Sequence, residues 1–148
     1  HTLKQPTHKG EYFLTEAFQY MIDHGAKIKV IDVAGWYDAG KMDTLLETNR
    51  VMLEKGRAQV PAEGLENVAI IDPVRIEEGA IVRDCYIGPN VVIGAGSTVT
   101  DCTIRDTIIG SGSTVTSCVL TESIIGDSAV VERVKGSVAL GDDSRVTT

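Results

Sequence analysis

Aliphatic residues recur through the second half of the chain at intervals of five or six, and three intervals make one unit. Three segments repeat nearly the same sequence 16 residues apart, beginning Ile93-Gly-Ala-Gly-Ser-Thr-Val, Ile109-Gly-Ser-Gly-Ser-Thr-Val and, less closely, Ile125-Gly-Asp-Ser-Ala-Val-Val. A fixed period of this length is typical of a solenoid. The pattern predicts short flat strands joined by tight bends, in coils that must stack because one coil alone buries too little apolar surface to offset its ordering entropy.

The register assigns the inward-facing position of each strand. These positions are Ile76, Val82, Ile87, Ile93, Val99, Ile104, Ile109, Val115, Leu120, Ile125 and Val131. Several are followed by glycine, where the missing Cβ permits close backbone approach or positive φ; these glycines are Gly88, Gly94, Gly110 and Gly126. The last coil, near 140–146, is polar, as expected of a terminal coil.

Three cysteines, Cys85, Cys102 and Cys118, fall at the same place in successive coils. They could form a metal or redox ladder, or they could be small apolar residues that fill the interior. The next coil has Val134 at this place, and valine fills the same volume but binds no metal. We therefore favour the interior role, and three free thiols also suit a reducing compartment.

The first part of the chain has a different pattern. It predicts a helix over 16–24 with Thr15 as N-cap and Gly25 at its end, then an alternating strand over 27–33. A second helix follows near 42–55, with Leu45, Leu46, Met52 and Leu53 facing inward and Gly56 after its end. So few elements make too small an independent core.

The predicted organisation is therefore a short α/β remnant of a larger domain over 1–57, a linker over 58–67 and a mainly β solenoid over 68–148. Composition changes near the same boundary. Residues 1–57 carry eight basic and eight acidic residues, whereas 58–148 carry six and thirteen, which accounts for the whole net charge of −7. An acidic solenoid with one aromatic residue, Tyr86, lacks the positive field and the stacking groups that nucleic acid requires, so no nucleic-acid partner is expected.

No run of about 18 apolar residues and no signal-peptide pattern occurs, so we expect a cytoplasmic protein that does not bind membranes. The chain begins at His1 without a recognisable start, and we expect it to be a piece of a longer protein.

Two levels of resemblance narrow the function. The (Ile/Leu/Val)-Gly-x-x-x-x hexads resemble the left-handed parallel β-helix of the hexapeptide-repeat superfamily, and the hand comes from that resemblance alone. The segment Lys9-Gly-Glu-Tyr-Phe-Leu-Thr-Glu resembles the (Arg/Lys)-Gly-Glu-x-x-(Leu/Ile)-Thr-Asp motif of sugar-1-phosphate nucleotidyltransferases. Trp36-Tyr-Asp-Ala-Gly, followed by Leu45-Leu-Glu-Thr-Asn-Arg, resembles their Trp-x-Asp-(Thr/Ala)-Gly segment and the helix after it. Glucose-1-phosphate thymidylyltransferases with a β-helical tail are the most similar group.

The resemblance implies that the parent protein joins a nucleoside triphosphate to a sugar 1-phosphate, releases pyrophosphate and uses Mg²⁺. It makes Asp38 one of two metal-binding aspartates, Glu11 a partner of sugar hydroxyls and Lys9 a neighbour of the sugar phosphate. Each residue also has a purely structural interpretation: Asp38 could cap the following helix, and Glu11 and Lys9 could be ordinary surface charges. The family's Gly-x-Gly-x-Arg loop and second aspartate are absent from the sequence. No catalytic residue is therefore assigned, and this chain alone is predicted to be inactive.

Two other functions remain open. Many hexapeptide-repeat proteins transfer acetyl groups from acetyl-CoA, but they usually use a histidine base, and 58–148 contains no histidine. The β-helix could also be a structural module without a ligand, serving oligomerisation or regulation. The exposed edge of the last coil needs cover from an added segment or from another subunit. We expect a homo-oligomer through the β-helix, with a trimer favoured.

Overall fold

The computed structural model describes residues 13–148, which fall into two compact units divided between Trp36 and Tyr37. The described part of the first unit contains one helix, α1, over Leu14–Asp23. Gly25, with φ of 86°, ends it, and the N–H of Ala26 donates to the carbonyl of Met21 at 2.9 Å. The predicted helix is confirmed, but its predicted cap is wrong: the helix begins one residue before Thr15, so the N-cap is Phe13, without a side-chain hydrogen bond.

The strand predicted over 27–33 is also wrong. These residues adopt neither helix nor strand, and Val30 and Ile31 are 85% and 74% exposed. Alternation specifies which side chains share a face, but a strand also needs a neighbour to complete its backbone hydrogen bonds. Within residues 13–36 no other segment supplies that neighbour.

The second unit begins with a helix and continues as a parallel β-solenoid. Helix α2 spans Met42–Met52 and runs into one π-helical turn over Leu53–Arg57, where Gly56 has φ of 88°. Twelve strands follow: β1 Leu65–Ile70, β2 Val74–Ile76, β3 Ile81–Ile87, β4 Val91–Ile93, β5 Thr98–Thr100, β6 Thr103–Ile109, β7 Thr114–Thr116, β8 Val119–Ile125, β9 Val130–Glu132, β10 Lys135–Gly136, β11 Ala139–Leu140 and β12 Arg145–Thr147.

All strand pairs are parallel, and each strand pairs with the strand one coil away. Three ladders result. The first ladder contains the first halves of β1 and β3 with β5, β7, β9 and β12. The second contains the second halves of β1 and β3, the first halves of β6 and β8, and β10. The third contains β2, β4 and the second halves of β6 and β8 with β11. The architecture is a mainly β solenoid of about five turns, consistent with the predicted left-handed β-helix.

The interior of the solenoid confirms the predicted register. All eleven predicted inward residues are buried, none more than 2% exposed. Ile87, Ile104 and Leu120 illustrate the stacking, since they are direct partners on successive coils. Half-buried Leu140 and Val146 end the core in the last coil.

The cysteine column also lies inside, as predicted. Cys85, Cys102 and Cys118 are free and at most 3% exposed, and Val134 is buried at the same place in the next coil. The thiol of Cys102 lies 3.1 Å from the carbonyl oxygen of Thr100. Its contact with the Cys85 thiol, together with burial, raises the pKa of Cys102 above the ordinary value of a thiol.

Glycines follow inward residues for the two predicted reasons. At Gly94, Gly110 and Gly126 an added Cβ would come within 2.6 Å of a backbone atom of the next coil, so these positions permit close stacking. Gly88 meets both requirements, because its φ is 111° and an added Cβ would overlap the carbonyl oxygen of Ile71. Two residues later, Asn90 has a left-handed backbone at the corner that Asp106 and Glu122 form in the next two coils.

Helix α2 packs along the outside of the third ladder. The outward residues of this ladder are Val92, Ile108 and Ile124, and all three are partly buried although they point away from the core. Helix α2 contacts β6, and its Leu45 lines a shallow cleft with Ile124. The helix therefore covers an aliphatic stripe that would otherwise face water.

Four residues of the second helix were predicted to face inward, and the structure bears out part of that set. Leu46 and Leu53 are buried and Leu45 is partly buried, but Met52 is 37% exposed. The assignment of 1–57 to a separate domain, with 58–67 as linker, remains a prediction about the longer protein.

Candidate functional site

Asp38 lies in the short loop between Tyr37 and the start of α2, and its carboxylate is exposed. Its Oδ1 accepts a hydrogen bond from the backbone N–H of Gly40 at 3.0 Å. An added Cβ at Gly40 would lie 3.2 Å from the same oxygen, so glycine leaves room for this turn. The turn fixes one carboxylate oxygen, while Oδ2 has no hydrogen bond within the described residues.

The structural alternative for Asp38, a cap on the following helix, does not match the structure. The N-cap of α2 is Lys41, whose backbone N–H donates to Oγ1 of Thr44 at 3.2 Å. The N–H of Thr44 bonds to Oδ1 of Asp43 at 2.9 Å. Because other side chains satisfy these groups at the start of α2, the Asp38 carboxylate is not needed there.

Two contacts hold the Asp38 loop on α2. Oγ1 of Thr48 donates to the carbonyl oxygen of Asp38 at 3.2 Å. One residue earlier, the hydroxyl of Tyr37 bonds to Nζ of Lys55, and this ammonium also lies 4.7 Å from the centre of the Tyr37 ring. The loop therefore follows the position of the helix.

A polar cluster in turn joins α2 to the solenoid. Nε of Arg50 donates to Oδ1 of Asp106 at 3.0 Å, and Nδ2 of Asn90 donates to the same oxygen at 3.0 Å. Nδ2 of Asn49 donates to the carbonyl oxygen of Asn90 at 3.3 Å. Arg50 also reaches Glu47 at 3.2 Å. Burial alone lowers the pKa of Arg50, but its bonds to Asp106 and Glu47 outweigh this and raise it, so the guanidinium stays charged.

The other two predicted site residues, Lys9 and Glu11, lie outside the described residues. Asp38 fits one position of a magnesium site, because Mg²⁺ is commonly held by one or two carboxylates together with phosphate oxygens and water. Among residues 13–148 no group of three or more histidine, cysteine or acidic side chains is arranged to hold a metal. Asp38 would therefore be a single protein ligand within this part of the chain.

The chain is similar in sequence to several known proteins. The chain is 33% identical over 115 residues to a glucose-1-phosphate thymidylyltransferase of Streptomyces griseus, covering 69% of the chain and 32% of the relative. It is 35% identical over 101 residues to a protein of the same name from Streptomyces antibioticus, covering 68% and 28%. The chain is similar to the C-terminal part of sugar-1-phosphate nucleotidyltransferases.

A third relative, the bifunctional protein GlmU of Methanocaldococcus jannaschii, is 39% identical over 74 residues, covering 49% of the chain and 18% of the relative. The chain thus spans about a third or less of the length of these proteins. No model of a protein family matches the sequence. Within residues 13–148 no helix is long and apolar enough to cross a membrane.

The sequence motif predicts Asp38 as a candidate site residue, but nothing in it predicts the polar cluster that joins α2 to the solenoid. Arg50 and Asp106 are 56 positions apart, and nothing in their spacing brings them together. A usable clue lay in the paired aliphatics Ile108-Ile109 and Ile124-Ile125, whose first members point outward. An outward aliphatic column on a solenoid indicates that something covers that face.

Proposed function

We propose that this chain is the C-terminal part of a sugar-1-phosphate nucleotidyltransferase that joins a nucleoside triphosphate to a sugar 1-phosphate, most specifically a glucose-1-phosphate thymidylyltransferase. The observation that carries the proposal is the Asp38 loop, a Trp-x-Asp-Ala-Gly segment whose free carboxylate oxygen faces solvent at the start of α2. Similarity to two proteins of that activity supports it.

In this proposal Asp38 is one ligand of the Mg²⁺ ion that the parent enzyme uses. A Mg²⁺ ion held by Asp38 would supply neutralisation of the charge that develops on the phosphate oxygens. The turn to Gly40 orients the carboxylate before any ion arrives, so little ordering remains to be done on binding. Lys9 would neighbour the sugar phosphate and Glu11 would accept hydrogen bonds from sugar hydroxyls.

The solenoid has an architectural role in the proposal. Its ends expose unpaired strand edges, and its outer surface carries apolar side chains such as Tyr86 and Val119, 66% and 48% exposed and on the same ladder. We propose that copies of the chain associate through the β-helix into a homo-oligomer, with a trimer favoured. Light scattering measures the assembly mass directly; a monomer at micromolar concentration would contradict this part.

The activity is tested by pyrophosphate release from thymidine triphosphate and glucose 1-phosphate with Mg²⁺. The chain alone should give none, because its sequence contains no Gly-x-Gly-x-Arg loop. In the protein that includes the segment encoded before His1, Asp38→Asn should reduce turnover by about 100-fold or more, since a metal supplies several kcal/mol of charge stabilisation.

Glu54→Gln is the matched control, because it removes one exposed carboxylate from the same compact unit. It should leave turnover unchanged. Normal turnover of Asp38→Asn would remove Asp38 from the site. The absence of any nucleotide-binding segment encoded upstream would overturn the proposed activity as a whole.

A further inference from the structure

The contacts around α2 connect the solenoid to the Asp38 loop through a short series of side chains. Asp106 lies at a corner of the second full coil, within β6, in the left-handed region with φ of 47°. This conformation suits aspartate and asparagine better than most other residues. The side chain is only 18% exposed, so its charge requires partners.

Those partners come from two directions. Asn90, at the equivalent corner of the preceding coil, donates to Oδ1 of Asp106 and holds the carboxylate against the solenoid. Arg50 of α2 donates to the same oxygen from outside. A hydrogen bond between two charged groups with restricted access to water is among the stronger polar interactions in proteins.

The interaction is transmitted to the loop by a rigid element. Arg50 and Thr48 are two residues apart on α2, and Thr48 bonds to the main chain of Asp38 at 3.2 Å. Farther along the same segment, Lys55 bonds to the side chain of Tyr37. A shift of α2 along the solenoid would therefore move the backbone of Asp38 with it.

We propose that Asp106 is a positioning residue, which sets the location of the Asp38 carboxylate by anchoring Arg50 and hence α2 on the β-helix. The inference rests on the proposed function, and it gives the β-helix a role in the active site besides association. The neighbouring corner residue Glu122 lines the cleft beside Arg50 without an ion pair to it, so the anchor is specific to one coil.

The first test measures the geometry of the Asp38 loop and does not depend on enzymatic activity. The Gly40 amide bonds to Oδ1 of Asp38, so its NMR resonance in the 148-residue chain reports the state of the loop. Asp106→Asn keeps the left-handed corner but removes the charge, and Arg50→Met removes the guanidinium from a helix surface. Both should shift the Gly40 resonance. Asp101→Asn, the same change at a different left-handed corner of the same coil, should not.

The second test uses the protein with pyrophosphate-release activity. Asp106→Asn and Arg50→Met should each raise the Mg²⁺ concentration for half-maximal turnover by about tenfold, as residues behind a metal ligand typically do. The double variant should behave like either single variant, because both remove one interaction. Circular dichroism confirms that each variant keeps its β-structure.

The outcomes separate the two proposals. An unmoved Gly40 resonance in both variants would overturn the positioning role whatever the activity shows. An unchanged Mg²⁺ requirement in the variants, alongside loss of turnover in Asp38→Asn, would likewise reject positioning while leaving the proposed function intact. Full turnover of Asp38→Asn would reject the metal site itself, and a shifted Gly40 resonance would then show that the anchor serves only the loop's structure.

Discussion

Replacing Gly110 by alanine should strongly destabilise the solenoid, although alanine is a small residue. The new Cβ would lie 2.6 Å from the carbonyl carbon of Gly126 and 2.7 Å from the backbone nitrogen of Asp127. Normal contacts need about 3.5 Å, so the next coil must move by about 1 Å. That movement strains two hydrogen bonds to the next coil, from the N–H of Gly110 to the carbonyl oxygen of Ile125 at 2.8 Å and from the N–H of Ser111 to Oδ1 of Asp127 at 2.7 Å.

The cost combines steric overlap with weakened hydrogen bonding. Overpacking in a dense interior costs about 2 kcal/mol, and each hydrogen bond is worth about 1 kcal/mol, so we expect a loss of about 4 kcal/mol in the free energy of unfolding. Domains of ordinary stability have a free energy of unfolding of about 5–15 kcal/mol, so at room temperature this loss would remove a large part of the stability of the variant.

Gly96→Ala provides the matched control. Gly96 has φ of 68° and no atom within 4 Å of an added Cβ, so alanine there meets backbone strain alone, worth about 1–2 kcal/mol. Urea unfolding followed by far-ultraviolet circular dichroism measures both variants. If Gly110→Ala lost no more stability than Gly96→Ala, close approach of the coils would not be what requires glycine at position 110.

Two further substitutions test the interior. Ile104→Ala should lower the free energy of unfolding by about 2–5 kcal/mol, because this fully buried side chain stacks between those of two other coils. Thr103→Ala, on the exposed side of the same strand, should change it by less than about 0.5 kcal/mol. Equal losses for the two variants in urea unfolding would contradict the assigned register. Cys102→Val should fold with a stability within about 1.5 kcal/mol of the parent, because Val134 fills the equivalent position two coils later. The native thiols should react with Ellman's reagent only on unfolding, because burial keeps the reagent from all three and the pKa of Cys102 is raised by its contact with the Cys85 thiol and by burial. Rapid labelling of the folded chain would place the column outside.

The repeat made the solenoid predictable in detail. A period of 16 repeated over several coils fixes the inward face of every strand, and residues such as Ile87, Ile104 and Leu120 then follow without knowledge of their partners. The strand expected over 27–33 had no such support. Its alternation indicates only a local preference for extended backbone. A strand would form there only if a neighbouring strand paired with it, and residues 13–36 contain none.

The candidate site was predictable only in part. Asp38 came from a motif resemblance, and its turn to Gly40 is local enough to follow from sequence. The anchor from Arg50 to Asp106 joins segments whose proximity depends on α2 docking against the third ladder. The outward aliphatic Ile108 indicates that this face of the solenoid is covered, but the sequence does not show which helix covers it.

The helix on the third ladder also limits how this protein can vary in length. Helix α2 contacts three successive coils through fixed residues: Asn49 bonds to Asn90, Arg50 bonds to Asp106, and Leu45 lines a cleft with Ile124. Duplicating a coil between Val92 and Ile124 would separate these partners by a further distance of about 4.8 Å, and the helix could not keep all three contacts. Whole-coil insertions during evolution are therefore expected beyond Leu140, where added coils lengthen the protein without disturbing the loop that carries Asp38.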